Sequence, residues 1–222
     1  MWTAFLARLA RFRDDRAGAA AVEMAFVAPV IILLALAGVD TTRYIIATEQ
    51  ISKVANTIGQ MLTENATGKV NYVDLQFYHD SAMVIYPDVL ADAAARNIAW
   101  SNDISISMAS IQFTATTKNC GTTCTYKPKV IWSGGSNPRA CGTVFSSVPD
   151  ASVPSATTLP QDIYGPGSVV VIDIQYNYHP WFASYLGASL GIARSVYLAP
   201  RYVSLISYQT VAGDNGFAVS CP

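Results

Sequence analysis

Residues 17–39 read AGAAAVEMAFVAPVIILLALAGV, from Ala17 to Val39, and this stretch decides how the chain is organised. Glu23 is its one ionisable side chain. At a helical rise of about 1.5 Å per residue the run makes roughly 35 Å of helix, enough to cross a hydrocarbon core of about 30 Å with some tilt. Before it lies MWTAFLARLARFRDDR, in which Arg8, Arg11, Arg13 and Arg16 outnumber Asp14 and Asp15. A basic flank of this kind stays in the cytoplasm, so everything after about Asp40 is expected on the far side of the membrane. A cleavable secretory signal has a shorter apolar core that ends at a small-residue cut site, and a buried core helix is usually shorter than this run. The stretch reads as a single membrane anchor.

Composition agrees. Of the 222 residues, 51% are hydrophobic and 13% charged, where soluble domains carry about a quarter of their residues as charges. Part of the chain therefore belongs in lipid. The length leaves room for an anchor and a small domain, not for a large multidomain enzyme. A net charge of -1 offers no basic footprint for nucleic acid.

A carboxylate inside a spanning helix is costly and marks function, commonly through a partner of opposite charge. No Lys or Arg follows Glu23 within the apolar run, so its partner must come from elsewhere. Cleavage between Gly18 and Ala19 would free an amine four residues before Glu23, on the same helix face. The amine of a neighbouring subunit would serve equally well. Gly18 taken alone means no more than close packing in a membrane helix. In context, Arg16-Ala-Gly18-Ala-Ala-Ala-Val22-Glu23-Met24-Ala-Phe26-Val-Ala-Pro29 resembles the processing and transmembrane motif of the TadE-like pseudopilins, minor components of tight-adherence (Tad, or Flp) pilus machines. The resemblance implies a prepilin peptidase cutting after Gly18, Ala19 as the new N-terminus, and Glu23 as the carboxylate that supports assembly. It also implies as partners other pilins or pseudopilins and the Tad inner-membrane platform. The chain would be a single-pass protein of the bacterial inner membrane, with its N-terminus cytoplasmic and its C-terminal domain periplasmic or extracellular. A weaker likeness sits near the other end, where Val169-Val-Val-Ile-Asp-Ile-Gln-Tyr176-Asn-Tyr178-His179-Pro180, followed by Ala199-Pro200-Arg201, resembles the late strand, Tyr-x-Tyr-x-Pro turn and Pro-Arg pair of many members. Residues of about 65–165 carry no such likeness.

The remainder predicts a pilin-like α+β fold. Pro29 should kink the span. Ile51, Val54, Ile58, Met61 and Leu62 recur at helical spacing, with Lys53, Asn56, Thr57, Gln60 and Glu64 on other faces, so an amphipathic stem should run to about Glu64 and lay its apolar stripe on the domain. Asn65 to Gly68 supply a break. Tyr72 to Ile85 and Asp88 to Ala95 read as short helices divided at Pro87. From Asp103 the period changes, and the runs from Asp103 to Phe113, Tyr126 to Trp132, Ser168 to Tyr178 and Arg194 to Tyr208 predict a small antiparallel sheet of about four strands. Gly134 to Gly167 should be an irregular surface loop. Pro180 to Gly191 should form a short helix packed on the domain, or one dipped into the membrane surface through Trp181 and Phe182. The expected divisions are a cytoplasmic basic leader over 1–18, a transmembrane helix over 19–39, a stem over 40–64 and an exported domain over 65–222.

The four cysteines, Cys120, Cys124, Cys141 and Cys221, allow three pairings. Cys120 and Cys124 flank a predicted hairpin tip, while Cys141 lies past the far end of the next strand, about 20 Å or more away. Cys120 with Cys124 and Cys141 with Cys221 is the favoured pairing. His79 and His179 stand at no short spacing from the cysteines, so a zinc pattern is missing and neither metal nor cofactor is expected. His179, before Pro180, reads as a turn or surface residue. Asp103-Ile-Ser105-Ile-Ser107 spells the metal-loop pattern of von Willebrand factor A domains, but it falls inside an alternating run, where serines on an exposed strand face explain it better. No nucleophile elbow, phosphate loop or HExxH occurs, so no catalytic residue is assigned. Two other readings remain open. One is a membrane-anchored binding module using the aromatic-rich sheet and the 134–167 loop, unprocessed at Gly18. The other is an anchored hydrolase, which needs a polar cleft that brings His79 or His179 beside a Ser or Asp.

Overall fold

The computed structural model describes residues 17–117, 124–150, 152–187 and 189–222; residues 1–16 of the basic leader and Cys120 lie outside them. One helix, α1 (Ala17–Thr63), runs unbroken from the apolar stretch into the domain, with Pro29 inside it. At about 1.5 Å per residue its 47 residues extend roughly 70 Å. The first half presents its apolar side chains outward, Phe26 at 76% exposure and Leu34 at 68%. The second half buries Ile51, Val54, Ala55, Ile58 and Leu62 completely, with Met61 half-buried beside them. The stem stripe therefore lies on the domain.

After the β1 strand (Lys69–Val70), helices α2 (Tyr72–Ile85) and α3 (Asp88–Ala95) follow at the predicted bounds. Asn71 and Asp74 form a reciprocal capping box at the start of α2, satisfying backbone donors that would otherwise be orphaned. Asn97, in the left-handed conformation at φ 55°, ends α3 in a Schellman arrangement, with Ile98 N–H donating to Ala93 O at 3.0 Å. A single turn, α4 (Trp100–Asp103), then leads into the sheet.

Five strands form that sheet, in the order β7-β6-β2-β3-β9, all antiparallel: β2 (Ile104–Ala115), β3 (Tyr126–Gly135), β6 (Gly167–Tyr178), β7 (Leu190–Leu198) and β9 (Ala218–Ser220). The expected run from Arg194 to Tyr208 is two elements instead. β7 stops before Pro200, and Ser207–Tyr208 form β8, which pairs in parallel with β1. A proline has no ladder donor, which accounts for the division. One sheet face packs on α1 through Ile104, Ile106, Met108, Ile172 and Ile174. Gly59 admits the close approach, since a Cβ there would stand 2.7 Å from Leu198 Cδ1.

The second face corrects two expectations. Residues 136–166 do not lie loosely on the surface; they contain a parallel pair, β4 (Ser146–Val148) with β5 (Thr158–Pro160), and cover a second small core of Ile111, Phe113, Leu159 and Val171. Ser105 and Ser107 consequently face this cover rather than water, Ser107 being 3% exposed. The cover is fixed by Arg139, whose buried guanidinium pairs with both Asp173 oxygens, Nε–Oδ2 2.7 Å and Nη2–Oδ1 3.0 Å, and donates to Thr158 O at 2.9 Å. Burial opposes that charge, but the carboxylate beside it wins and holds the guanidinium above its ordinary pKa. Cys141 and Cys221 are bonded, with Cα atoms 5.3 Å apart, which ties the cover to the end of β9. Cys124 is also disulfide-bonded.

Candidate functional site

Where α1 leaves the apolar stretch, three elements meet. Asp40, one residue past Val39, accepts backbone N–H bonds from Phe182 at 3.2 Å and Ala183 at 2.9 Å, which holds the turn after β6 against the base of the stem. In that turn Ala183–Leu186 form a short 3-10 helix, and Trp181 is 61% exposed. The Arg43 guanidinium carbon stacks 3.2 Å from the Trp181 ring centroid, a cation–π contact. Tyr44 and Tyr178 meet edge to face one turn above, at 5.8 Å.

Behind these contacts opens a cavity of about 300 Å³ between α1, α3 and the end of β6, walled by Arg43, Tyr86, Asp88, Asp92, Tyr178 and His179, among others. The Schellman turn of α3 folds Arg96 back onto the acidic wall. Its Nη2 lies 2.9 Å from Asp92 Oδ2 and 2.5 Å from Asp103 Oδ2. Asp103, 3% exposed, is raised above the ordinary aspartate value mainly by desolvation, with Arg96 pulling the other way. Burial, then the charge of Asp88, pushes Tyr86 up to about 12. Tyr176 donates to Asp92 at 3.4 Å, and His179 Nδ1 stands 3.6 Å from the same carboxylate oxygen. His179 lies in the turn after β6, as expected, and there forms part of a polar cavity wall. Asp92, Asp103 and His179 offer three ligand atoms within 4.8 Å of one another, but Arg96 already supplies the cation between the two carboxylates.

The hydrolase reading fares differently at its two histidines. His79 Nδ1 meets Asp80 at 3.0 Å, and its ring is enclosed between Trp100 and Phe217. His179 does stand beside Asp92, but no Ser, Thr or Cys lines the cavity among the described residues. A Ser-His-Asp relay needs a hydroxyl or thiol at hydrogen-bond distance from the imidazole.

The other sequence-derived site lies at the opposite end of α1. Gly18 and Ala19 fall in its first turn, and Glu23 is exposed on its surface one turn later. α1 is the one described helix long and apolar enough to cross a membrane. The family model described as TadE-like protein matches residues 18–59. Residues 18–59 are TadE-like. No curated protein and no solved structure matches the chain. The TadE-like segment begins at Gly18, includes Glu23 and ends within the stem at Gly59, so it covers the anchor and most of the surface on which the sheet packs. With its apolar exposed half, this segment has the length and composition of a membrane anchor, and its similarity to TadE-like proteins links residues 18–59 to Tad pilus systems.

Proposed function

We propose that the chain is a non-enzymatic minor pseudopilin that takes part in assembly of a Tad-type pilus or secretion machine. A prepilin peptidase cuts it after Gly18, its N-terminus starts in the cytoplasm, and its domain over 65–222 lies outside the inner membrane. The observation that carries this reading is the exposed half of the TadE-like helix. Its apolar side chains have almost no cover among the described residues, and the carboxylate of Glu23 projects from the same surface. In lipid, such a helix associates with others through packing and polar contacts, and a carboxylate there calls for a cationic partner. The amine of Ala19, freed by the cut, supplies one, either on the same helix face or from the next subunit.

N-terminal sequencing of the protein from membranes of cells with and without the peptidase tests it. A terminus at Ala19 that depends on the peptidase is expected, together with loss of co-assembly with pilins in Glu23→Ala at unchanged protein level. An intact terminus in peptidase-positive cells would sink it. A second reading, the anchored binding module, draws support from the cavity at the base of the domain and expects that intact terminus.

A further inference from the structure

The cavity sits at a defined depth. Arg43 lies four residues beyond Val39, about 6 Å further along the helix axis, and a headgroup layer reaches about 5–8 Å beyond the hydrocarbon. Asp40 holds Phe182 and Ala183 at the same level, and Trp181 beside them is exposed, as interfacial tryptophans are. With the span ending at Val39, as the sequence reading has it, the mouth of the cavity falls at the depth of lipid headgroups.

Its lining carries both signs of charge. Arg43 Nη1 and the hydroxyl of Tyr178, like His179 Nδ1, belong to lining residues and are buried without a hydrogen-bond partner, and Tyr178 as a whole is 7% exposed. Two unsatisfied donors on neighbouring elements make a receptor for an anionic oxygen, and leaving them unmade is costly. The same lining includes Asp88 and Asp92 of α3, and the ring of Tyr86, which meets Tyr176 of the sheet edge to face. Arg96 neutralises one charge of the Asp92 and Asp103 pair, while the exposed Asp88 has no ion pair among the described residues. A wall of carboxylates and an aromatic face suits an ammonium. The two sets of groups ask for an anion and a cation in one small ligand at membrane depth.

We propose that this cavity binds the headgroup of a phospholipid that carries a primary amine, a phosphoethanolamine, with its phosphate on Arg43 and Tyr178 and its ammonium on Asp88 and Asp92. About 300 Å³ is ample for such a headgroup. The acyl chains leave past Trp181 toward the apolar half of α1. An anionic headgroup without an amine satisfies Arg43 and Tyr178 but faces the carboxylates unpaired. A choline headgroup brings the charge without N–H donors. The inference rests on the membrane anchor and not on processing at Gly18, so its failure would leave the pilus reading standing.

The test is native mass spectrometry of the full chain in detergent, titrated with phosphatidylethanolamine, phosphatidylcholine and phosphatidylglycerol of identical acyl chains. Phosphatidylethanolamine should bind about tenfold more tightly than either competitor, the effect of one or two charge-assisted hydrogen bonds. Arg43→Gln should weaken all three lipids, and Asp88→Asn should erase the advantage over phosphatidylglycerol. Both residues lie outside the core, and unchanged thermal unfolding of the variants keeps the readout on binding. Equal binding of the three lipids, phosphatidylglycerol as the tightest, or a preference untouched in both variants would overturn the proposal. So would photo-crosslinking from position 88 in membranes that captures a protein subunit and no lipid.

Discussion

From Ala21 to Val39, α1 turns its apolar side chains outward with almost nothing of its own chain against them, whereas from Ala47 to Thr63 the same helix buries one stripe under a five-stranded sheet. Both halves are continuous helix, but the cover differs and so does the width of the apolar face. The outer half is apolar all round and takes lipid as its solvent. The inner half confines its apolar residues to one face, because protein covers that face alone. A charge is therefore tolerated on opposite grounds in the two halves: in the stem by angular position, in the anchor by depth.

The largest test of this contrast is Ile58→Asp. An unpaired carboxylate at a fully buried position should destabilise the domain by at least ~4 kcal/mol, read as loss of its cooperative thermal unfolding while the protein still sediments with membranes. Leu33→Lys should do the reverse. It costs ~2.5–3.5 kcal/mol of insertion near the middle of the span, seen as extraction of the protein from membranes by alkaline carbonate with the domain still folded. If either variant disturbed both properties, the two halves would not be independent. Gly59→Leu sharpens the boundary by forcing bulk between α1 and Leu198, and a loss of ~1–3 kcal/mol is expected in chemical unfolding. Asp40→Asn, at the junction, weakens two charge-assisted N–H bonds and should cost only ~1 kcal/mol. Faster proteolysis at the Trp181 turn, with the domain's melting temperature nearly unchanged, would report it.

How much of this was legible depended on how local the cause was. Helices α2 and α3 divide at Pro87, as the sequence predicts, and the structure adds two caps just as local, Asn71 before α2 and Asn97 after α3. The stem stripe was equally readable from the spacing of Ile51, Val54, Ile58 and Leu62. β9 was not, since three residues are too few for a period. The division of the Arg194 to Tyr208 run did have a signal, Pro200, which the aromatic and β-branched neighbours outweighed. The covered second face depends on one buried pair, Arg139 with Asp173, whose members are 34 residues apart. The membrane-proximal cavity draws Arg43, Asp88, Asp92, Tyr178 and His179 from three elements, and no spacing within any one of them announces it. In the anchor, Gly18 and Glu23 stood out because a charge and a glycine are conspicuous against an apolar background.

The unbroken passage of α1 from bilayer to domain has a mechanical side. Transmembrane helices lean on average about 20° from the membrane normal. With about 36 Å of stem between Val39 and Thr63 and no loop to absorb a bend, such a lean carries the top of the stem roughly 12 Å sideways. The domain is thus the pointer of a lever whose short arm lies in lipid. A change in bilayer thickness, or a neighbouring helix that straightens the anchor, would re-aim the whole surface of the domain without altering a single contact inside it.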